Sequence, residues 1–297
     1  MPELPDITVY VERLEAKLRG DTLQRLRVLN PFVLRTAVPP IAQAEGRRLV
    51  GVERLGKRVV LALEDKSEGE LFLVIHLMIA GRLRWLAAGA KPPGKLSLAS
   101  FEFGAGTLLL TEAGTTRRAS LHLLAGRAAL QATDPGGIEV LAAALPAFAA
   151  RLQAENHTVK RALTDPRLFS GIGNAYSDEI LHRARLSPVA LTGALSATHV
   201  ESLFVATRAV LTEWTERLRA RAGDWPDKVT AFQPGMAVHG RYGKPCPVCG
   251  APVQRIVYAE NETNYCARCQ TGGRILADRA LSRLLKKSWP RSIDELG

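Results

Sequence analysis

Hydrophobic positions change their spacing several times along this chain. Near the start they recur every three to four residues, so that Ile7, Val11, Leu14 and Leu18 share one helical face. Pro5 suits a first helical position, Asp6 a first turn and Gly20 the residue past the end, which together predict a helix. From residue 21 to about 135 the pattern is that of strands. Residues 23–29 alternate, 57–63 and 71–77 are short β-rich runs, and Trp85, Phe101, Phe103 and residues 108–110 continue the series between Gly and Pro clusters. Several strands after one helix predict an antiparallel sandwich or barrel. The Asp-Pro-Gly-Gly run at 134–137 marks a domain exit, and residues 138–222 return to helical spacing. There Val200, Leu203, Phe204, Thr207, Leu211, Trp214 and Leu218 fall on one side of a long helix. The chain is then loop-rich and closes on a short basic helix. In it Ala277, Ala280, Leu281 and Leu284 are expected to pack, while Arg279, Arg283, Lys286 and Lys287 form a solvated face.

A length of 297 residues accommodates two domains or more, and 46% hydrophobic with 23% charged residues describes a globular chain. No uncharged apolar run reaches membrane-spanning length, and the opening lacks a basic segment followed by an apolar one. A cytoplasmic protein is expected, associated with the nucleoid in a bacterial source. The net charge of +11 changes the picture more, because it favours a polyanionic partner such as nucleic acid. An acidic membrane surface fits less well, since no polybasic block abuts an apolar anchor.

Four groups of residues bring candidate chemistry. Cys246-Pro-Val-Cys249 and Cys266-Ala-Arg-Cys269 hold all four cysteines. Two Cys-x-x-Cys knuckles suit a tetrahedral, closed and therefore structural zinc site; disulfides or a redox pair suit a cytosolic chain less well. Residues 253–258 read as one strand of a zinc ribbon, with residues 260–263 as its turn. Second, Gly171-Ile-Gly173 precedes Asn174 at a helix start, either as a plain turn or as a phosphate-binding one with Asn174 and Lys160 as donors. Third, Lys57, His76, Arg117 and Arg118 sit at strand ends or in loops, where the alternatives are solvated or structural side chains. Fourth, removal of Met1 would free the nitrogen of Pro2, an α-amino group whose ordinary pKa is about 7.7–8.0, beside the carboxylate of Glu3.

In this order, these features resemble the formamidopyrimidine-DNA glycosylase/endonuclease VIII family of DNA repair enzymes. Met-Pro-Glu-Leu-Pro-Asp at the start, Gly56-Lys57-Arg58, the run Gly-Ile-Gly-Asn-Ala-Tyr-Ser-Asp-Glu at 171–179 and the segment from Phe232 through the cysteines carry the likeness. The resemblance implies a multidomain α+β fold. An N-terminal helix and antiparallel β-sandwich would occupy 1–135, a helix–two-turn–helix domain 136–235, a zinc-ribbon finger 236–272 and a basic extension 273–297. It also implies a monomeric bifunctional DNA glycosylase and abasic-site lyase acting on damaged or abasic double-stranded DNA, with one structural zinc. Pro2 would be the nucleophile, Glu3 the partner acid and base, and Lys57 a proton-transfer and phosphate ligand. His76, Arg118, Lys160 and Asn174 would clamp phosphates, and Arg117 would enter the vacated stack. The chain departs from the family pattern at Ile79 and Ala119, where a methionine and a phenylalanine are expected, and at Thr115-Thr116, where Asp-Pro is usual. It also departs at Asn261, in the place of a finger-tip arginine, and at residues 223–228, in the place of a lesion-capping loop. These departures support an alternative, a DNA-structure-binding protein that has lost efficient excision. An RNA-associated zinc-ribbon protein is a third reading.

Overall fold

The structure is a computed structural model describing residues 1–65, 69–90, 94, 96–114, 116–258, 261–278, 282–284 and 290–296. The chain forms two compact units, residues 1–135 with 214–230, and residues 136–213 with 231–297. Residues 214–230, expected within the 136–235 domain, cluster with the first unit. Among the described residues no helix is long and apolar enough to cross a membrane.

The first unit begins with α1 (Leu4–Leu18) and continues through β1 (Leu23–Val28), β2 (Arg48–Leu55), β3 (Arg58–Asp65), β4 (Gly69–His76), β5 (Gly81–Leu86), β6 (Ser97–Phe103), β7 (Gly106–Glu112) and β8 (Ser120–Ala125), ending on α2 (Gly126–Gln131). Its strands make two four-stranded antiparallel sheets, β1-β6-β7-β5 and β2-β3-β4-β8. Ile7, Tyr10, Leu14 and Leu18 of α1 pack with Leu61, Leu73 and Ile75 of one sheet and Phe101 and Leu108 of the other. The opposite face of β3 and β4 is covered as well: Val60, Ala62, Phe72 and Val74 cluster with Leu130 of α2. Burial on both faces explains why these two strands read as nearly unbroken apolar runs. Trp225 joins the core, with ring centroids 5.7 Å from Tyr10 and 5.9 Å from Trp85, and its indole donates to the Leu83 carbonyl at 3.2 Å. The segment that stands in the place of a lesion-capping loop is therefore pinned to the sandwich, and Lys17–Asp224 at 2.6 Å adds a second tie.

The second unit contains α3 (Leu145–Leu152), α4 (Val159–Thr164), α5 (Asn174–Arg183), the first part of α6 (Ala197–Ala222), β9 (Gln254–Tyr258), β10 (Asn261–Tyr265) and α7 (Ala267–Thr271). The finger is a β9–β10 hairpin, but its turn is not 260–263: Asn261, Glu262 and Thr263 pair with Tyr258, Val257 and Ile256. Strand pairing satisfies backbone groups that a four-residue turn would leave open. Thr115, Glu260, residues 279–281 and Lys286–Lys287 lie outside the described residues. In the basic extension the expected apolar face is out of frame. Ala277 is exposed and Leu284 is 76% exposed, whereas Leu276 and Ile293 join Tyr265, Cys246 and Cys266 in the finger core.

Candidate functional site

The N-terminus is organised by the start of α1. Glu3 is its N-cap, Pro5 lies in its first turn, and the Glu3 N–H donates to Asp6 Oδ2 at 2.9 Å. Pro2 and Glu3 are buried. Burial holds the terminal amine of Met1 below its ordinary value; the carboxylates of Glu3 and Asp6 oppose this, and the cations Arg82 and Lys57 reinforce it. Burial likewise lowers the Lys57 ammonium, with Glu3 opposing. Asp6 is pushed up to about 7, chiefly by burial, and its Oδ1 has no hydrogen-bond partner. One electrostatically coupled cluster of the first unit thus gathers the terminal amine of Met1, Glu3, Asp6, Lys57 and Arg82.

Local structure places these groups. Lys57 lies in the two-residue turn between β2 and β3, closed by the Leu55–Arg58 pair, rather than at the strand's first position. Gly56 adopts φ +62°, a conformation that a hairpin turn of this length demands and that glycine takes without strain. Arg82 on β5 is fixed by the carbonyls of Val229 and Gly81, both at 2.6 Å. Asp6 and Arg82 were not singled out from sequence: Asp6 was visible in the opening motif, and Arg82 carried no local signal.

His76 closes β4 opposite Arg58 and Ser120. It is pulled down to about 4 by burial first, then by the positive fields of Arg58 and Lys57 and by His122. It is therefore a neutral imidazole near pH 7 in the unliganded protein. Arg117 and Arg118 are exposed on the loop before β8. Buried Glu112 holds this loop by accepting from the Arg118 N–H at 2.9 Å and the Ala119 N–H at 3.0 Å. Ala119 is only 3% exposed and has no side chain that could protrude. Ile79, 54% exposed, is displayed by a tight turn in which the Gly81 N–H donates to the Leu77 carbonyl at 2.9 Å. A Cβ at Gly81 would meet that oxygen at 2.2 Å, so the turn requires glycine, and Met78 is left-handed at φ +52°.

In the second unit, Lys160, expected as a phosphate clamp, is engaged within the protein. Its ammonium is paired with the buried carboxylate of Asp178 and also reaches Ser177 Oγ and the Asn174 carbonyl, both at 3.2 Å. It is a strut for the start of α5. Asn174 follows Gly171 (φ +82°) and donates from Nδ2 to the Glu262 carbonyl of β10 at 2.8 Å. Asp178 also accepts from the Asn264 N–H at 3.1 Å and meets His239 Nδ1 at 2.8 Å, while Glu179 accepts the N–H groups of Ala237, Val238 and His239. Helix α5 and the finger are thereby one hydrogen-bonded assembly. Asn261 opens β10; its side chain lies outside the described residues.

The four cysteine sulfurs all lie within 4.8 Å of one another, none in a disulfide, with Cys246–Cys269 at 3.9 Å and Cys249–Cys266 at 3.4 Å. Tetrahedral Zn–S bonds of about 2.3 Å place sulfurs about 3.8 Å apart, so the set fits zinc and leaves no position for water. The zinc is structural. His182 of α5, buried, lies with Nε2 3.3 Å from Cys246 Sγ, where its N–H can offset thiolate charge. His182→Phe is expected to weaken zinc binding about 10-fold or more, read by competition with a chromophoric chelator.

Three family models match the chain: the formamidopyrimidine-DNA glycosylase N-terminal domain over residues 1–119, its H2TH domain over 137–220, and the zinc finger found in FPG and IleRS over 243–272. The formamidopyrimidine-DNA glycosylase of Thermus thermophilus is 35% identical over 283 residues, covering 92% of this chain and 100% of that protein. An uncharacterized formamidopyrimidine-DNA glycosylase-like protein of Mycobacterium tuberculosis is 40% identical over 164 residues, covering 55% of this chain and 100% of that protein. Among solved structures, MutM (Fpg) from Thermus thermophilus matches with TM-score 0.76 and 33% identity over 91% of this chain and 98% of that one. Lactococcus lactis Fpg bound to abasic-site DNA shares the fold, with TM-score 0.80 and 23% identity over 91% of this chain and 99% of that one.

Proposed function

The chain belongs to the formamidopyrimidine-DNA glycosylase family, and on that premise we propose that it is a base-excision-repair DNA glycosylase with abasic-site lyase activity, acting on damaged or abasic double-stranded DNA. The observation that carries the reading is that buried Pro2 and Glu3 sit with Lys57 in one electrostatically coupled cluster around the chain's terminal amine, that of Met1 here. With Met1 removed, the Pro2 nitrogen attacks C1′ of an everted nucleotide, and the base leaves with the bonding electrons. Glu3 passes a proton to the opening sugar ring. The resulting iminium is cationic without protonation, so it withdraws electrons and acidifies the neighbouring sugar C–H. Loss of that proton expels the 3′ phosphate, and a further elimination expels the 5′ phosphate. Lys57, its ammonium destabilised by burial, is suited to proton transfer next to a phosphate. His76, Arg118, Asn174 and Asn261 are the proposed backbone contacts, and Arg117 the arginine that enters the stack. Borohydride trapping on abasic-site DNA tests the assignment: the wild-type protein should yield a covalent adduct, and its absence overturns the enzyme reading.

Buried Ala119 favours the second reading, a protein that binds distorted DNA but excises poorly, because no aromatic wedge supports the vacated stack. Exposed Ile79 can take that place, since an apolar wedge between base steps offsets unstacking. Ile79→Ala is accordingly expected to lower excision from duplex DNA about 10-fold while sparing single-stranded DNA, measured in single-turnover assays. Equal losses on both substrates would remove the wedge role.

A further inference from the structure

The matched finger model ends at residue 272, yet the chain beyond it is built into the finger. Ile275 N–H donates to the Arg291 carbonyl at 2.9 Å and Ile293 N–H to the Gly273 carbonyl at 2.8 Å, so both ends of the extension are tied to each other beside α7. Leu276 and Ile293 are buried against Tyr265, Cys246 and Cys266, and the Leu276 N–H donates to the Tyr265 hydroxyl at 2.7 Å. Asp278, only 2% exposed, accepts the Val257 N–H of β9 through Oδ2 at 2.7 Å. A buried carboxylate is costly unless it is hydrogen-bonded, so this contact fixes where the extension leaves the finger. The place is near the hairpin tip: Val257 pairs with Glu262, next to the terminal Tyr258–Asn261 pair.

The Ser282 N–H donates to the Asp278 carbonyl at 2.8 Å, and Arg283 lies on the surface. The sequence from 279 to 287, Arg-Ala-Leu-Ser-Arg-Leu-Leu-Lys-Lys, has four basic residues and no acidic one. We propose that this extension is a DNA-backbone-binding element of the finger, held beside the hairpin tip by Asp278, with Arg283 as a phosphate contact. The finger of this chain carries Asn261 where the family pattern has an arginine, and among the described residues of the extension Arg283 offers an exposed cation. Asp278 is a positioning residue in this arrangement. The partner follows from charge complementarity with polyphosphate, and the proposal rests on the glycosylase reading only for the identity of that DNA.

The test is equilibrium binding of the full chain to an abasic-site duplex across a salt series. One lost phosphate contact lowers the slope of log K against log salt by about 0.9. Arg283→Glu is expected to lower the slope by at least that amount, with unchanged zinc content and unchanged trapping at saturating DNA. Asp278→Ala should lower it similarly with zinc retained, and Asp278→Asn, which keeps the acceptor oxygen, should restore it. A wild-type slope in Arg283→Glu overturns the proposal, as does an equal fall in Arg151→Glu, an exposed control on α3 that would report net charge alone. Failure of wild-type trapping with the slope effect intact would instead strike the enzyme reading and leave DNA binding by the extension standing.

Discussion

Pro2→Gly is expected to lower the borohydride-trapped adduct with abasic-site DNA at least about 100-fold, or about 2.7 kcal/mol of transition-state stabilisation. Glycine leaves an amine, but a primary one, whose imine must capture a proton before it can act as an electron sink. The proline adduct is cationic from the moment it forms. The surroundings of the amine fix the pH dependence. An amine attacks only when neutral; burial first, then Arg82 and Lys57, lower the terminal amine of Met1, and the Pro2 amine exposed by loss of Met1 is expected to meet the same neighbours, so the rising limb of the trapping rate is expected below the ordinary α-amine range. Removing Lys57 takes away one of the lowering charges. In Lys57→Gln the limb is expected to move to higher pH, while any loss of proton-transfer catalysis lowers the plateau, and a pH–rate profile separates the two. Protein retaining Met1, identified by intact mass, is expected to trap nothing, because an acylated proline nitrogen has no available lone pair. Full trapping by that form would remove the mechanism.

What the sequence revealed, and what it hid, divides along chain separation. The face of α1 formed by Ile7, Leu14 and Leu18 was legible because helical period is a local property, and all three are fully buried. The four-cysteine site was legible because two short knuckles carry most of its geometry. The partner of Lys160 was hidden because Asp178 lies eighteen residues on, where the pattern shows only another polar helix position. Arg82 was invisible because its anchor, the Val229 carbonyl, is 147 residues away. Trp225 lies in a stretch that reads as loop, and its role as a core ring depends on Tyr10 and Trp85. In the extension, periodicity was extrapolated into a segment whose frame is set by single contacts. The Tyr265 hydroxyl and the Val257 N–H determine that Leu276 and Asp278 turn inward and Ala277 outward.

Cys266→Ser, or removal of zinc from the wild type, is expected to unfold the finger and leave the sandwich intact. Structural zinc contributes about 10–16 kcal/mol of apparent binding free energy in small fingers, more than the apolar residues around it can replace. The finger core is small, and Cys246 and Cys266 are themselves part of it beside Val238, Val253, Tyr265 and Leu276. Without metal these thiolates become thiols, and mutual attraction through a shared ion is lost. The damage does not stop at the knuckles. Asn174 loses the Glu262 carbonyl as acceptor, and Asp178 loses the Asn264 N–H, each a buried or half-buried polar group whose stranding costs about 1–3 kcal/mol. The start of α5 is therefore expected to loosen with the finger, and DNA affinity to fall at least about 100-fold through Asn174 as well as through the hairpin. Strands β3 and β4, buried on both faces within the other unit, share none of these bonds. Hydrogen exchange reads the difference directly: amides of 254–265 and 174–178 should lose protection on chelation, whereas those of 59–63 and 71–75 should keep it. Uniform loss across both sets, or protection retained in 254–265 without zinc, would show that the metal does not hold the finger.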